Sequence, residues 1–218
     1  MAAVAKDEAA APVVMLVLAH PRPGSYNHAL ADRLGAAVTR AGATLLAHDL
    51  YAEGFDPVLR AEESFVVGRS LSPAGSGDPL LDLHRAHVAS ADALVVVHPN
   101  WWGKPPAILA GWLDRVLVPG VAYRLPVAGG LPEPLLRVRR LVVVNTTDTP
   151  AEREVADFGD PLADVWERCV GSYLGPATAP TVVDRTVLAS VNEADDARRA
   201  RWLDDMDDVG ARVVRLLV

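Results

Sequence analysis

Short apolar runs alternate along the chain with segments whose apolar residues recur at helical spacing. Val13–Ala19 is unbroken and rich in β-branched residues, which suits a strand covered on both faces. Leu30, Leu34, Ala37 and Val38 then share a helical face, and Gly42 stands where a helix-terminating glycine belongs. Thr44–His48, Ala93–Val97 and Leu141–Val144 predict three more strands, and Thr181–Val191 holds a fifth. Helices are predicted over Leu80–Ala91, Ala107–Val118, Pro161–Tyr173 and Ala194–Leu217. Between Ala52 and Pro79 the pattern weakens, and Gly68, Pro73, Gly75 and Gly77 mark a connection long enough to be functional or partly mobile.

Strands alternating with helices, every strand apolar, predict an α/β fold. The expectation is a doubly wound sheet of five parallel strands in the order 2-1-3-4-5, with helices on both faces. Residues 1–11 read as a flexible N-terminal tail and residues 12–218 as a single domain. The 218 residues are 50% hydrophobic and 22% charged, ordinary globular composition. A formal charge of −7 without a dense basic run argues against a nucleic-acid partner. Cys169 is the only cysteine, which excludes an internal disulfide framework and a cysteine-rich metal site. Val13–Ala19 is too short to span a bilayer, so no membrane insertion is expected. Lys6, Asp7 and Glu8 stand where a basic leader would begin, so the expected location is cytoplasmic.

Ligands of such sheets bind beyond the carboxyl ends of the strands. Three predicted strand ends carry unusual loops: His20–Asn27, His98–Pro106 and Asn145–Pro150. The first has neither a dinucleotide fingerprint nor a Walker string, but Gly24, Ser25 and Asn27 precede a helix whose free amides suit an anion. Ser25 also suits simple helix capping. The second stiffens Trp101 and Trp102 between prolines, as the rim of a flat aromatic ligand requires or as a packed core would. The third offers hydroxyls and amides to a polar ligand edge, or an N-cap in Thr149 before Pro150.

Other candidates read as structural. His84 and His87 lie three apart on a helix with no carboxylate placed to complete a metal shell, so no metal is expected. Asp157-Phe158-Gly159 echoes a kinase triplet without its accompanying motifs, and no G-x-S-x-G elbow is present. Cys169 falls in phase with Val165, Trp166 and Tyr173 and reads as core.

Taken in order, the landmarks resemble the NAD(P)H:quinone reductases of DT-diaphorase type, in the flavodoxin-like superfamily. PNWWGKPPAILAGWLDRVL (Pro99–Leu117) resembles the flavin-ring loop and its helix, and AHPRPGSYN (Ala19–Asn27) the phosphate loop. Asp49-Leu50-Tyr51 resembles the family's D-L-Y, and Thr146-Thr147 its threonine pair; the landmarks span residues 13 to 150.

The resemblance implies bound FAD, with FMN as the alternative, and NADPH or NADH as electron donor. It places His20, Ser25, Tyr26 and Asn27 at the phosphates. Pro99, Asn100, Trp101, Trp102 and Gly103 would line the isoalloxazine, Thr146 and Thr147 its far edge, and Arg198 the adenylate half. It also implies a homodimer with the flavin at the subunit interface. Asp148 and Thr149 replace two family glycines, and the family's substrate-facing Tyr and His have no counterpart. Arg153 and Phe158 fall nearest to them, which makes Arg153 the catalytic candidate, able with the amides near Trp102 and Gly103 to stabilise the reduced flavin's charge.

The implied activity is ping-pong, two-electron reduction of a quinone or related aromatic acceptor. A flavodoxin-type electron carrier, a regulatory flavoprotein partner of a transporter, and a reductase of one natural product or azo compound are the competing readings.

Overall fold

A computed structural model describes residues 10–64, 66, 69–72, 74–125 and 130–218. Most of the expected tail, together with Gly68 and Pro73, lies outside the described residues. Five strands form one sheet: β1 (Val13–Leu18), β2 (Thr44–Asp49), β3 (Ala93–Pro99), β4 (Arg140–Thr146) and β5 (Val182–Leu188). Every pairing is parallel and the order is β2-β1-β3-β4-β5, as the sequence predicts. The apolar runs are longest where helices cover both faces. β3 is buried at every position, whereas the edge strands β2 and β5 keep exposed positions and carry polar residues.

Helices α1 (Tyr26–Arg40) and α5 (Asp196–Arg215) cover one face, where Leu30, Leu34 and Val38 meet Met206 and Val213 over β1, β3 and β4. Gly210 lets them close: a Cβ there would stand 2.7 Å from the Ala37 Cβ and 2.9 Å from the Leu34 carbonyl. The other face carries α2 (Pro79–Ser90), α3 (Ala107–Val116) and a wound segment over residues 161–173, whose buried Trp112 and Trp166 pack on Leu94, Val96 and Val143.

Among its described residues, the connection between β2 and α2 holds one short 3₁₀ turn, Ala61–Glu63, which a buried ion pair ties down. Arg115 of α3 grips Glu63 through Nε (2.9 Å) and Nη2 (3.0 Å) and donates through Nη1 to the Asp56 carbonyl. Gly111 permits this approach, since a Cβ there would meet the Pro57 carbonyl oxygen at 2.1 Å.

Four local expectations change. β3 runs on through His98 and Pro99, because both pair with Asn145 and Thr146 of β4. The helix that the third loop's cap signal announces, α4 (Ala151–Phe158), has Pro150 rather than Thr149 at its N-cap, and its extent was not predicted. The Thr149 amide instead donates to Thr147 Oγ1. Pro161–Tyr173 is a single α-turn, then a π-helical stretch over Asp164–Val170 and a 3₁₀ turn. The wider π winding carries Cys169 away from the face that buries Trp166, so Cys169 is exposed rather than core.

Candidate functional site

Because β1, β3 and β4 are neighbours, their carboxyl ends bring the three unusual loops together. The Ala19 amide donates to the Val97 carbonyl, Asn100 to Thr146 and Thr147 to Leu188, so each loop leaves its strand still tied to the next. A cleft of about 500 Å³ opens there, bordered by His20, Tyr26, Asn27, Pro99, Asn100, Trp101, Thr146 and Thr147. Its floor is fixed across the sheet by Asn27, whose Nδ2 donates to Thr146 Oγ1 at 3.0 Å. Burial lowers the basicity of His20, whose Nδ1 accepts from the Arg22 amide and whose ring stands 6.2 Å from that of Trp101.

The α1 N-terminus faces this cleft. Among the described residues, the amides of Tyr26 and Asn27 have no protein acceptor. Ser25 occupies the N-cap position without capping: its hydroxyl pairs with His28 Nδ1 at 2.8 Å, and His28 Nε2 pairs with Asp49 at 3.0 Å. The connectivity is that of a hydrolytic triad, but Ser25 is 3% exposed and does not border the cleft. Asp49 accepting from Nε2–H leaves Nδ1 to take the Ser25 proton, so anion binding falls to the amides rather than to this hydroxyl.

Two arginines missed in the sequence, Arg22 and Arg199, border the same cleft. Arg199 is held by Nη2 on the Val191 carbonyl, while its buried Nε has no partner among the described residues. Its carbonyl accepts the Tyr26 hydroxyl at 2.7 Å, and burial pushes that phenol up to about 12, so it stays a neutral donor. Arg198, the predicted adenylate contact, turns away: it stacks on Trp202 at 4.6 Å and donates to the Ala189 carbonyl. On a helix, neighbouring residues point about 100° apart, and of the two only Arg199 borders the cleft.

Asn100 and Thr147 also border a second cleft of about 630 Å³, walled by Trp102, Gly103, Phe158 and Pro161. Gly103 takes φ +68, and a Cβ there would lie 2.6 Å from Pro161 Cγ. Trp102 adopts φ +62, strained for a bulky residue, and is 96% exposed. The Gly103 amide is spent on Asn100 Oδ1 at 2.9 Å. Asn100 Nδ2 in turn donates to Glu154 of α4, also at 2.9 Å, and Glu154 is buried.

Arg153, the catalytic candidate, borders neither cleft. An i,i+4 ion pair with Asp157 and stacking over Phe158 hold it against two residues that border the second cleft, without Arg153 bordering it itself. Glu154, one residue on, is the side chain that enters.

The expectation that His84 and His87 lack a carboxylate is also corrected. Glu53 accepts from His48 Nδ1 at 2.8 Å and from His84 Nε2 at 3.0 Å, and His48 Nε2 pairs with His87 Nδ1. The ligand atoms of His48, Glu53 and His84 lie within 4.8 Å of one another. Trp112 Nε1, which can only donate, points at His84 Nδ1. Nδ1 is therefore the acceptor and Nε2 carries the proton, so His84 is a donor to Glu53 and not a free ligand.

Among solved structures, Smu.1420 from Streptococcus mutans matches with TM-score 0.71 at 25% identity, covering 92% of this chain and 99% of that one. An NAD(P)H:quinone oxidoreductase from Methanothermobacter marburgensis shares the fold with TM-score 0.75 at 23% identity, covering 94% and 100%. Among curated proteins, an uncharacterized NAD(P)H oxidoreductase of Haemophilus influenzae is 35% identical over 113 residues, 50% of this chain and 52% of that protein. The ribosyldihydronicotinamide dehydrogenase [quinone] of Homo sapiens is 31% identical over 154 residues, 64% of each chain. The chain thus spans between half and two thirds of these relatives' length. A match to the family model Flavodoxin_2 covers residues 13–207, and the chain belongs to that family, of flavodoxin-like fold.

Proposed function

We propose that the chain is a flavin-dependent NAD(P)H oxidoreductase, with residues 12–218 acting as one flavin-binding domain, that reduces a quinone-type acceptor by two electrons. The observation that carries this is the meeting of two clefts at Asn100 and Thr147: a polar one at an anion-binding helix end, and beside it one with flat apolar walls. An electron carrier needs only the first. The names of the human and Haemophilus relatives support the same reading.

The first cleft fits a flavin in its donor set: the free amides of Tyr26 and Asn27, the unpartnered Nε of Arg199, and the Thr146–Asn27 floor. When bound, a flavin supplies hydride acceptance and release. The α1 amides and Arg199 would hold phosphate oxygens there, Pro99, Asn100 and Trp101 would line the ring, and Thr146 and Thr147 would offer it polar contacts. FAD is proposed over FMN because a second arginine, Arg22, borders the cleft beside Arg199, giving a second phosphate a donor apart from the α1 amides.

The overall reaction is NAD(P)H + H⁺ + quinone → NAD(P)⁺ + hydroquinone, with NADPH or NADH and the quinone visiting the second cleft in turn. Exposed Trp102, Val155 and Phe158 beside it support a homodimer whose partner covers them. Among the described residues no helix is long and apolar enough to cross a membrane, and cytoplasmic action on soluble NAD(P)H is part of the proposal.

The test is anaerobic turnover with 1,4-naphthoquinone. One hydroquinone per NAD(P)H and parallel double-reciprocal lines are expected. Intersecting lines, or no flavin-dependent oxidation of either nicotinamide, would overturn it.

A further inference from the structure

The second cleft carries a buried charge that quinone reduction does not call for. Glu154 is 5% exposed in the first turn of α4, with Oε1 committed to Asn100. Its Oε2 has no hydrogen bond among the described residues, yet it is not sealed from solvent, and the residue borders the cleft. No described arginine or lysine pairs with Glu154 or borders this cleft. The other charged group there is a second carboxylate, Asp157, whose partner Arg153 stays outside. Thr147 and Thr149 are the neutral polar residues on the same wall.

An ionised carboxylate only accepts hydrogen bonds. Opposite a carbonyl oxygen or an anion it is left unpaired or repelled, while an N–H or cationic nitrogen satisfies it. Flat apolar walls with an acidic floor therefore favour a planar molecule with a nitrogen-borne proton at its edge. We infer that the second cleft selects aromatic acceptors bearing an amino or cationic nitrogen, such as amino-substituted quinones and basic azo compounds, over anionic ones, with Glu154 as the selecting group. The inference rests on the function proposed above. The same carboxylate suits the carboxamide N–H of a dihydronicotinamide, so donor and acceptor meet one recognition group.

The experiment compares kcat/KM for 2-amino-1,4-naphthoquinone and 1,4-naphthoquinone-2-sulfonate in the holoprotein and in Glu154→Gln, with bound flavin measured in each. Gln keeps an oxygen for Asn100 and removes the charge. Dividing the wild-type ratio by the variant ratio cancels the two quinones' intrinsic reactivities. The amino:sulfonate ratio should fall about tenfold or more in Glu154→Gln, as expected for loss of one close charge in a partly desolvated cleft. An unchanged ratio in a flavin-loaded, active variant overturns the inference while leaving the reductase reading intact. A wild-type protein without flavin or turnover overturns that reading itself. If the variant does not hold flavin, wild-type inhibition by 1-naphthylmethylammonium and 1-naphthoate decides. About tenfold tighter binding of the cation supports the inference, and equal or reversed affinities overturn it.

Discussion

The two clefts share Asn100 and Thr147 but are built in opposite ways. The first stands on the ends of β1, β3 and β4, where its loops continue the hydrogen bonding of a parallel sheet and Asn27 locks α1 to β4. The second is walled by the Trp102–Gly103 turn and by α4, a helix whose only buried residue is Glu154. A sheet end gives fixed donors at fixed spacing, which suits a resident ligand. A loop and a short helix can change side chains without disturbing the sheet, which suits the choice of a passing one.

Gly103→Val attacks the hinge between the clefts and should have the largest effect. It puts a β-branched residue at φ +68 and a Cβ 2.6 Å from Pro161 Cγ, for a cost of roughly 2–4 kcal/mol. Flavin content and thermal midpoint should fall together; a stable, flavin-loaded variant would show that the turn is not shared.

Acid should dismantle both clefts at once through His98. Its Nδ1–H donates to the Pro99 carbonyl, its Nε2 accepts from Trp166, and burial pushes it down to about 4. An unfolded histidine takes its proton near pH ~6.5, so between these values the unfolded chain binds more protons and stability drops as pH falls. Between pH 7 and pH 5 His98 alone should make unfolding easier by about 2 kcal/mol, and His98→Gln should remove that share while His84, pushed down to about 3 by burial, keeps a similar one. A pH-independent midpoint in the wild type would remove His98 from this role.

Arg199→Ala sharpens the comparison. Loss of one charge-assisted contact should weaken flavin binding about tenfold while leaving the preference among acceptor charges unchanged. A shifted preference would mean the clefts do not divide the work. Arg153→Ala should do least: its exposed pair with Asp157 is worth roughly 0–0.5 kcal/mol, and flavin affinity and kcat/KM should stay within about twofold. A larger loss of turnover would return Arg153 to the site.

The sheet was legible because β1, β3 and β4 are covered on both faces and so read as unbroken apolar runs. Their loops were legible because polar and aromatic residues crowd strand ends where bare turns would suffice. The extent of α4 was not: AEREVADF has no buried apolar stripe, and Val155 and Phe158 both face solvent. Glu154 and Arg199 each sit beside a residue singled out in the sequence, Arg153 and Arg198. Which of two neighbours points inward depends on how α4 and α5 pack, and that register is tertiary. Glu53 reaches His84 from 31 residues away, a proximity no local spacing encodes. Cys169 was misread because an α-helical period was applied to a π-helical stretch.

The most direct test of a resident flavin in the first cleft is the visible spectrum of the purified protein, followed by heat release and identification of what leaves. The account predicts a flavin band near one equivalent per chain, with FAD in the supernatant. A protein that is colourless and stays colourless after incubation with FAD and with FMN would contradict it.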